Sequence, residues 1–125
     1  MTLNHTVDFL RSTVLLNQMV ERIDAVFRAL GDPIRMAMVE RLTQGPASVG
    51  VLAEPHDISL AGASKHIGVL ENAGLVIREK RGRERVCTLQ RDALMGARDW
   101  VERTSQFWNQ RLDALDAALK EDGDE

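Results

Sequence analysis

The chain has 125 residues, of which 44% are hydrophobic and 28% charged, a balance typical of one soluble globular domain. No apolar run reaches the length of a membrane span and no secretory leader is recognisable, so we expect a cytoplasmic protein with no membrane partner. A single cysteine excludes an internal disulfide, and the net charge of -3 argues, taken alone, against a polyanionic partner.

The first predicted elements along the chain are helices. Apolar residues at steps of three and four predict a helical extension over residues 1–18 and a helix from Met19 to Leu30. Asp32 followed by Pro33 is typical of a helix start, because the carboxylate caps free amides and proline tolerates the first position. We therefore expect a further helix from Ile34 to about Gln44.

Two shorter helices follow at the spacing of a helix-turn-helix. Ser48 is positioned to cap a helix over residues 49–54, and Ser59 to cap one over residues 60–73, with a gap of about four residues. One stripe of the second helix is apolar and is expected to face the core: Leu60, Ala63, Ile67 and Leu70.

The opposite face of the 60–73 helix has an unusual composition. It is formed mostly by small residues with a few donors: Ala61, Gly62, Lys65, Gly68 and Val69, flanked by Ser64 and His66. Small side chains let a helix backbone approach a surface such as the major groove of DNA, whose phosphates Lys65 can meet. The alternative is a poor helix that tertiary packing tolerates.

A basic β-hairpin is predicted next. Short β-prone runs over residues 75–77 and 86–89 flank a charged segment, 78–85, with Gly82 near its middle. From Arg78 to Arg91 six basic residues stand against two acidic ones, a charge of +4, whereas the last fourteen residues carry one lysine against six acids, a charge of -5. The net charge is therefore the sum of two opposite regions, and the basic one is a hairpin next to a helix suited to the major groove of DNA. A solvated surface loop is the alternative.

A long helix is predicted from about Asp92. Over about 27 residues it carries apolar side chains at steps of seven, and at 1.5 Å per residue it is roughly 40 Å long. Part of this face needs a partner, and its candidate interface residues are Leu94, Trp100, Val101, Phe107, Trp108, Leu112 and Leu115. The organisation is thus an extension (1–18), a core domain (19–90), a dimerisation helix (91–119) and an acidic tail (120–125).

Three segments taken together resemble the ArsR family of bacterial winged-helix repressors. They are Phe27-Arg-Ala-Leu-Gly-Asp-Pro-Ile-Arg, Ser64-Lys-His-Ile-Gly-Val-Leu-Glu-Asn-Ala-Gly-Leu-Val and the hairpin Arg-Gly-Arg-Glu-Arg-Val. The resemblance spans about Val20 to Leu89. It implies a mainly α winged helix-turn-helix with a small β-hairpin, in a cytoplasmic, nucleoid-associated homodimer that binds a palindromic operator on double-stranded DNA and usually represses.

The same resemblance implies which residues touch DNA. In the helix they are Ser59, Ala61, Gly62, Ser64, Lys65 and His66, and in the wing they are Arg81, Arg83 and Arg85. The position of the basic hairpin beside the helix adds Lys80 to the expected phosphate contacts. For His66, a hydrogen bond within the fold is an equally good interpretation. The long terminal helix looks like that of a subgroup in which this segment dimerises.

The sequence predicts neither a metal site nor a cofactor, although many members of this family sense metals. Residues 49–54 hold no cysteine and the chain holds no histidine after Asp92, so the expected ligands are missing. Cys87 is interpreted as a small buried hydrophobe, with a redox role the weaker alternative. The sequence does not show whether a small-molecule effector acts on the protein.

Two other classes of function are alternatives to a regulator. A protein-interaction module could use Trp100, Phe107 and Trp108, with the two terminal helices, to hold a partner helix. An enzyme is not expected, because no nucleophile–base pair or paired carboxylates occur at a defined spacing.

Overall fold

The computed structural model describes residues 10–11 and 21–123, so most of the predicted N-terminal extension lies outside the described residues. The elements are α1 (21–30), α2 (Pro33–Leu42), β1 (Ala47–Ser48), α3 (Val49–Ala53), α4 (Leu60–Asn72), β2 (Val76–Arg81), β3 (Glu84–Leu89) and α5 (Arg91–Gly123). This mainly helical architecture with a small hairpin sheet confirms the predicted fold class. No helix in the described part of the chain has the length and apolarity that a membrane span requires.

The helices begin where the capping residues predict. The Asp32 side chain accepts hydrogen bonds from the backbone amides of Ile34 (2.9 Å) and Arg35 (3.1 Å) at the start of α2. The side chains of Ser48 and Ser59 cap α3 and α4 in the same way. The Oγ of each serine accepts a hydrogen bond from the backbone amide three residues further on, at 3.2 Å for Ser48 and 3.0 Å for Ser59. Each serine or aspartate satisfies amides that the helix itself leaves free, which is why these boundaries are local properties of the sequence.

The sheet has three antiparallel strands in the order β1-β3-β2. β2 and β3 form the predicted hairpin, which closes between Arg81 and Glu84 with Gly82 at a φ of 64°. The sequence did not indicate β1, whose two residues pair with Cys87 and Val86. Two residues are too few to show the alternation of a strand, and only the fold brings them against β3.

The core lies under α4, against which α2, α3 and β2 pack. Ala63, Ile67 and Leu70 of the predicted stripe are fully buried. The prediction for Leu60 is wrong, since its side chain is 64% exposed. Leu60 directly follows the N-cap, so it lies at the end of α4 beyond the packed part of the stripe.

Helix α5 is longer than predicted, with 33 residues. At 1.5 Å per residue it extends about 50 Å. Ala97 is buried and Leu94 half-buried against the core of the domain, whereas nearly all side chains from residue 98 to 121 are exposed. Only the start of α5 is therefore held by the described part of the protomer.

Candidate nucleic-acid interface

The outer face of α4 is small-sided and open. Ser59, Ala61 and Lys65 are exposed, and Val69 is 40% exposed despite being apolar. A methyl group added at Gly68 would meet nothing within 4 Å, so the helix backbone is accessible from outside at this point. At Gly62 an added methyl would come 3.3 Å from the Oγ of Ser59, the atom that caps the helix. The predicted face therefore exists as a surface.

Ser64 lies on the shoulder of this face, and its hydroxyl is engaged within the protein. It is half-buried, and its Oγ accepts a hydrogen bond of 2.7 Å from Nη1 of Arg78 on β2. The same guanidinium donates from Nε and Nη2 to Oε1 of Glu71, the first of these bonds measuring 3.0 Å. The side chain of Ser64 is thus directed to the hairpin.

His66, on the other shoulder, contacts the start of α2. Its Nδ1 lies 3.3 Å from Nη1 of Arg35 and 3.9 Å from Oδ1 of Asp32, and its side chain is 22% exposed. The backbone amide of Arg35 lowers the pKa of Asp32, with smaller contributions from the amide of Ile34 and the charges of Arg35 and His66, against desolvation. These contacts favour the interpretation of His66 as a residue bonded within the fold.

The wing, residues 78–85, presents its cations to solvent. Lys80, Arg81, Arg83 and Arg85 are exposed. The Nη2 atom of Arg81 lies 3.7 Å from Oε2 of Glu79. Lys80 and Arg85 are paired across the strands, and like charges directly opposite each other are unfavourable unless an anion lies between or beside them. The pair lines a cleft of about 300 Å³ with Glu71 and Arg78. The wing therefore concentrates positive charge next to α4.

Arg78 and Glu71 were not among the predicted site residues. Strand alternation contains a signal for Arg78, because it shares a strand face with buried Val76 and so needs an internal partner. Nothing in the local pattern identifies Glu71 as that partner. The ion pair depends on how α4 and β2 pack.

The predicted dimer face of α5 is an exposed apolar surface. Six of its seven predicted residues are between 42 and 58% exposed: Trp100, Val101, Phe107, Trp108, Leu112 and Leu115. Leu94 differs, because it packs against the core of its own protomer. Trp100 contacts Phe27 of α1 edge to face, with ring centroids 5.5 Å apart, and Arg111 lies 4.2 Å over the ring of Phe107.

A cleft of about 800 Å³ runs between α1 and the first half of α5. Its walls include Ile23, Val26 and Gly96, but not the aromatic residues that the interaction-module hypothesis assigned to a groove. The described structure thus separates that cleft from Phe107 and Trp108.

Cys87 lies in the core beneath the wing. It is fully buried, and burial raises the pKa of its thiol, an effect that the charge of Arg78 opposes and the charge of Glu71 reinforces. A neutral, inaccessible thiol is a packing residue. Within residues 10–11 and 21–123, no three histidine, cysteine or acidic side chains come together as a metal site requires.

A helix-turn-helix followed by a two-stranded wing defines a winged helix-turn-helix protein. The family model for a helix-turn-helix domain matches residues 30–79. The HTH-type transcriptional regulator Rv2034 of Mycobacterium tuberculosis is 35% identical over 82% of this chain and 92% of its own length.

Solved structures agree with this classification. The crystal structure of an ArsR family transcriptional regulator is similar with a TM-score of 0.67 and 36% identity, covering 71% of this chain and 92% of that one. The homodimeric winged helix-turn-helix DNA-binding domain of a possible ArsR-family regulator from Mycobacterium bovis has a TM-score of 0.57 and 25% identity, over 78% of this chain and 88% of that one. The chain belongs to the ArsR family of winged helix-turn-helix transcriptional regulators.

Proposed function

We propose that the protein is a homodimeric repressor that binds a palindromic operator through α4 and the wing. The observation that carries the proposal is the juxtaposition of an open, small-sided helix face with an exposed cluster of cations. Small side chains let α4 enter a major groove, while Lys65 and the wing cations meet the phosphates beside it. Its place of action is then the nucleoid, in the cytoplasm.

Dimerisation follows from the exposed face of α5. Side chains such as Trp108, Leu112 and Leu115 form an apolar surface too extensive to be left in water, and a second copy of the same helix matches it. The similar winged helix-turn-helix domain from Mycobacterium bovis is homodimeric, which supports a dimer here. Two recognition helices then reach successive major grooves about 34 Å apart, which requires a palindromic site.

Selection of bound fragments from genomic DNA, followed by titration at two salt concentrations, tests DNA binding. We expect one or a few fragments to bind far more tightly than the rest, with affinity falling as salt rises. Binding that is absent for every fragment, or insensitive to salt, would contradict the proposal. A reporter gene placed behind a selected fragment separates repression from activation.

Sedimentation of wild type and Leu112→Ala tests the dimer. We expect a stable wild-type dimer at micromolar concentration and a weaker one in the variant, because each truncation removes apolar area from both copies. Glu121→Gln is the control, because Glu121 is exposed on the same helix beyond the apolar patch. This variant should sediment like wild type. A monomeric wild type would contradict the proposal.

A further inference from the structure

Arg78 is the last anchored residue of β2 before the exposed end of the wing. Val76 is buried, the side chain of Arg78 is 14% exposed, and every residue from 79 to 85 is exposed. Apolar packing on α4 therefore holds only the base of the hairpin. Beyond that base, the hydrogen bonds and the ion pair that join the described wing to α4 are those of Arg78.

These bonds attach the wing to α4 at two points, two helical turns apart. Ser64 accepts from Nη1, while Glu71 accepts from Nε and Nη2 through one carboxylate oxygen. The guanidinium is a planar fork, so bonds on both its sides fix the direction of the side chain as well as its distance. Because Arg78 pairs with Cys87 on β3, the restraint acts on both strands.

We propose that Glu71 and Ser64, acting through Arg78, set the angle of the wing relative to the recognition helix, and so hold the wing cations in register with DNA. The inference rests on the proposed function. Arg78 and Glu71 are then positioning residues. Arg78, occupied by Glu71, adds no phosphate contact, and Glu71 favours DNA binding although its own charge repels phosphate.

Two isosteric changes of acidic residues test this inference, because simple electrostatics and positioning predict opposite signs. Removing any carboxylate near the wing should strengthen DNA binding if only charge matters. We expect that gain, or no change, for the control Glu79→Gln, whose carboxylate is 60% exposed. For Glu71→Gln we expect a loss of about tenfold or more, since Arg78 loses its charged acceptor.

Arg78→Lys gives a second, independent readout. It keeps the charge but loses the fork, so we expect weaker binding with an unchanged dependence on salt. The double variant with Glu71→Gln should bind no more weakly than the worse single variant, because both changes remove the same link. Hydrogen exchange of the free protein should be faster at the amides of residues 79–85 in Glu71→Gln than in Glu79→Gln.

The outcomes distinguish this inference from the proposed function. If wild type binds no fragment, the proposed function fails, and unchanged exchange in Glu71→Gln would also overturn the anchor. If wild type binds and Glu71→Gln binds equally or more tightly, the positioning role is wrong. If Arg78→Lys binds as tightly as wild type, the guanidinium fork is not needed and the positioning role is wrong as well. Thermal unfolding of each variant shows that a loss of binding comes from folded protein.

Discussion

Replacing Arg83 by alanine removes one cation from the turn of the wing. Arg83 is exposed, and no acidic partner lies within ion-pair distance among the described residues. A protomer exposes five candidate phosphate contacts, Lys65, Lys80, Arg81, Arg83 and Arg85, which makes about ten in a dimer. If all of them meet phosphates, the slope of log K against log salt reaches about -9, at about 0.9 per contact.

The substitution removes two of these contacts from a dimer. The slope should therefore become less steep by about 1.8, and the affinity lost over a fourfold rise in salt should shrink by about twelvefold. Fluorescence anisotropy of a selected fragment, titrated between about 50 and 200 mM salt, measures this change.

Arg98→Ala is the matched control. Arg98 lies on α5, away from the wing, and its side chain is 58% exposed. Its Nη2 atom is 3.5 Å from Oδ1 of Asp99, and its Nε atom is 3.9 Å from Oε1 of Glu102. The variant has the same change in formal charge, and we expect the wild-type slope. If the two variants change the slope equally, or if Arg83→Ala leaves it unchanged, the assignment of the wing to phosphates is refuted.

Three further predictions concern the folded state. Leu70→Ala should lower the free energy of unfolding in urea by about 2–5 kcal/mol, because the side chain is fully buried, and a loss below 1 kcal/mol would show that α4 is not packed as described. Because the pKa of Asp32 is lowered on folding, its carboxylate stabilises the fold above its ordinary value of 3.8, and this contribution disappears as the pH falls through the folded value. Asp32→Asn keeps a cap but does not titrate, so its stability relative to wild type should rise as the pH falls through that range, and parallel profiles would contradict the assignment. Cys87 should react with a thiol reagent only as fast as the protein unfolds, and rapid modification of native protein would show that the thiol is accessible.

The boundaries of α2, α3 and α4 could be predicted because they depend on residues close together in the chain. Asp32, Ser48 and Ser59 accept hydrogen bonds from amides two or three residues away, and such bonds need no partner from elsewhere in the fold. The hairpin is equally local, since Gly82 closes it between adjacent strands. The assignment of individual residues to DNA stays a prediction.

The sequence by itself thus determined the helix starts, the hairpin and the uneven charge, because these depend on near neighbours and on composition. Only the tertiary structure decided which polar side chains have hydrogen-bond partners within the protein and which are exposed to solvent. Arg78 counted toward the basic charge of the hairpin and Ser64 among the predicted DNA contacts, yet their side chains are hydrogen-bonded to each other across fourteen residues of chain. His66 likewise reaches Arg35, thirty-one residues away. Periodicity identifies the face on which a side chain lies, but its partner depends on how two elements pack. The cations of residues 80–85 are therefore exposed, whereas Arg78 at the base of the wing is paired with Glu71 inside the protein.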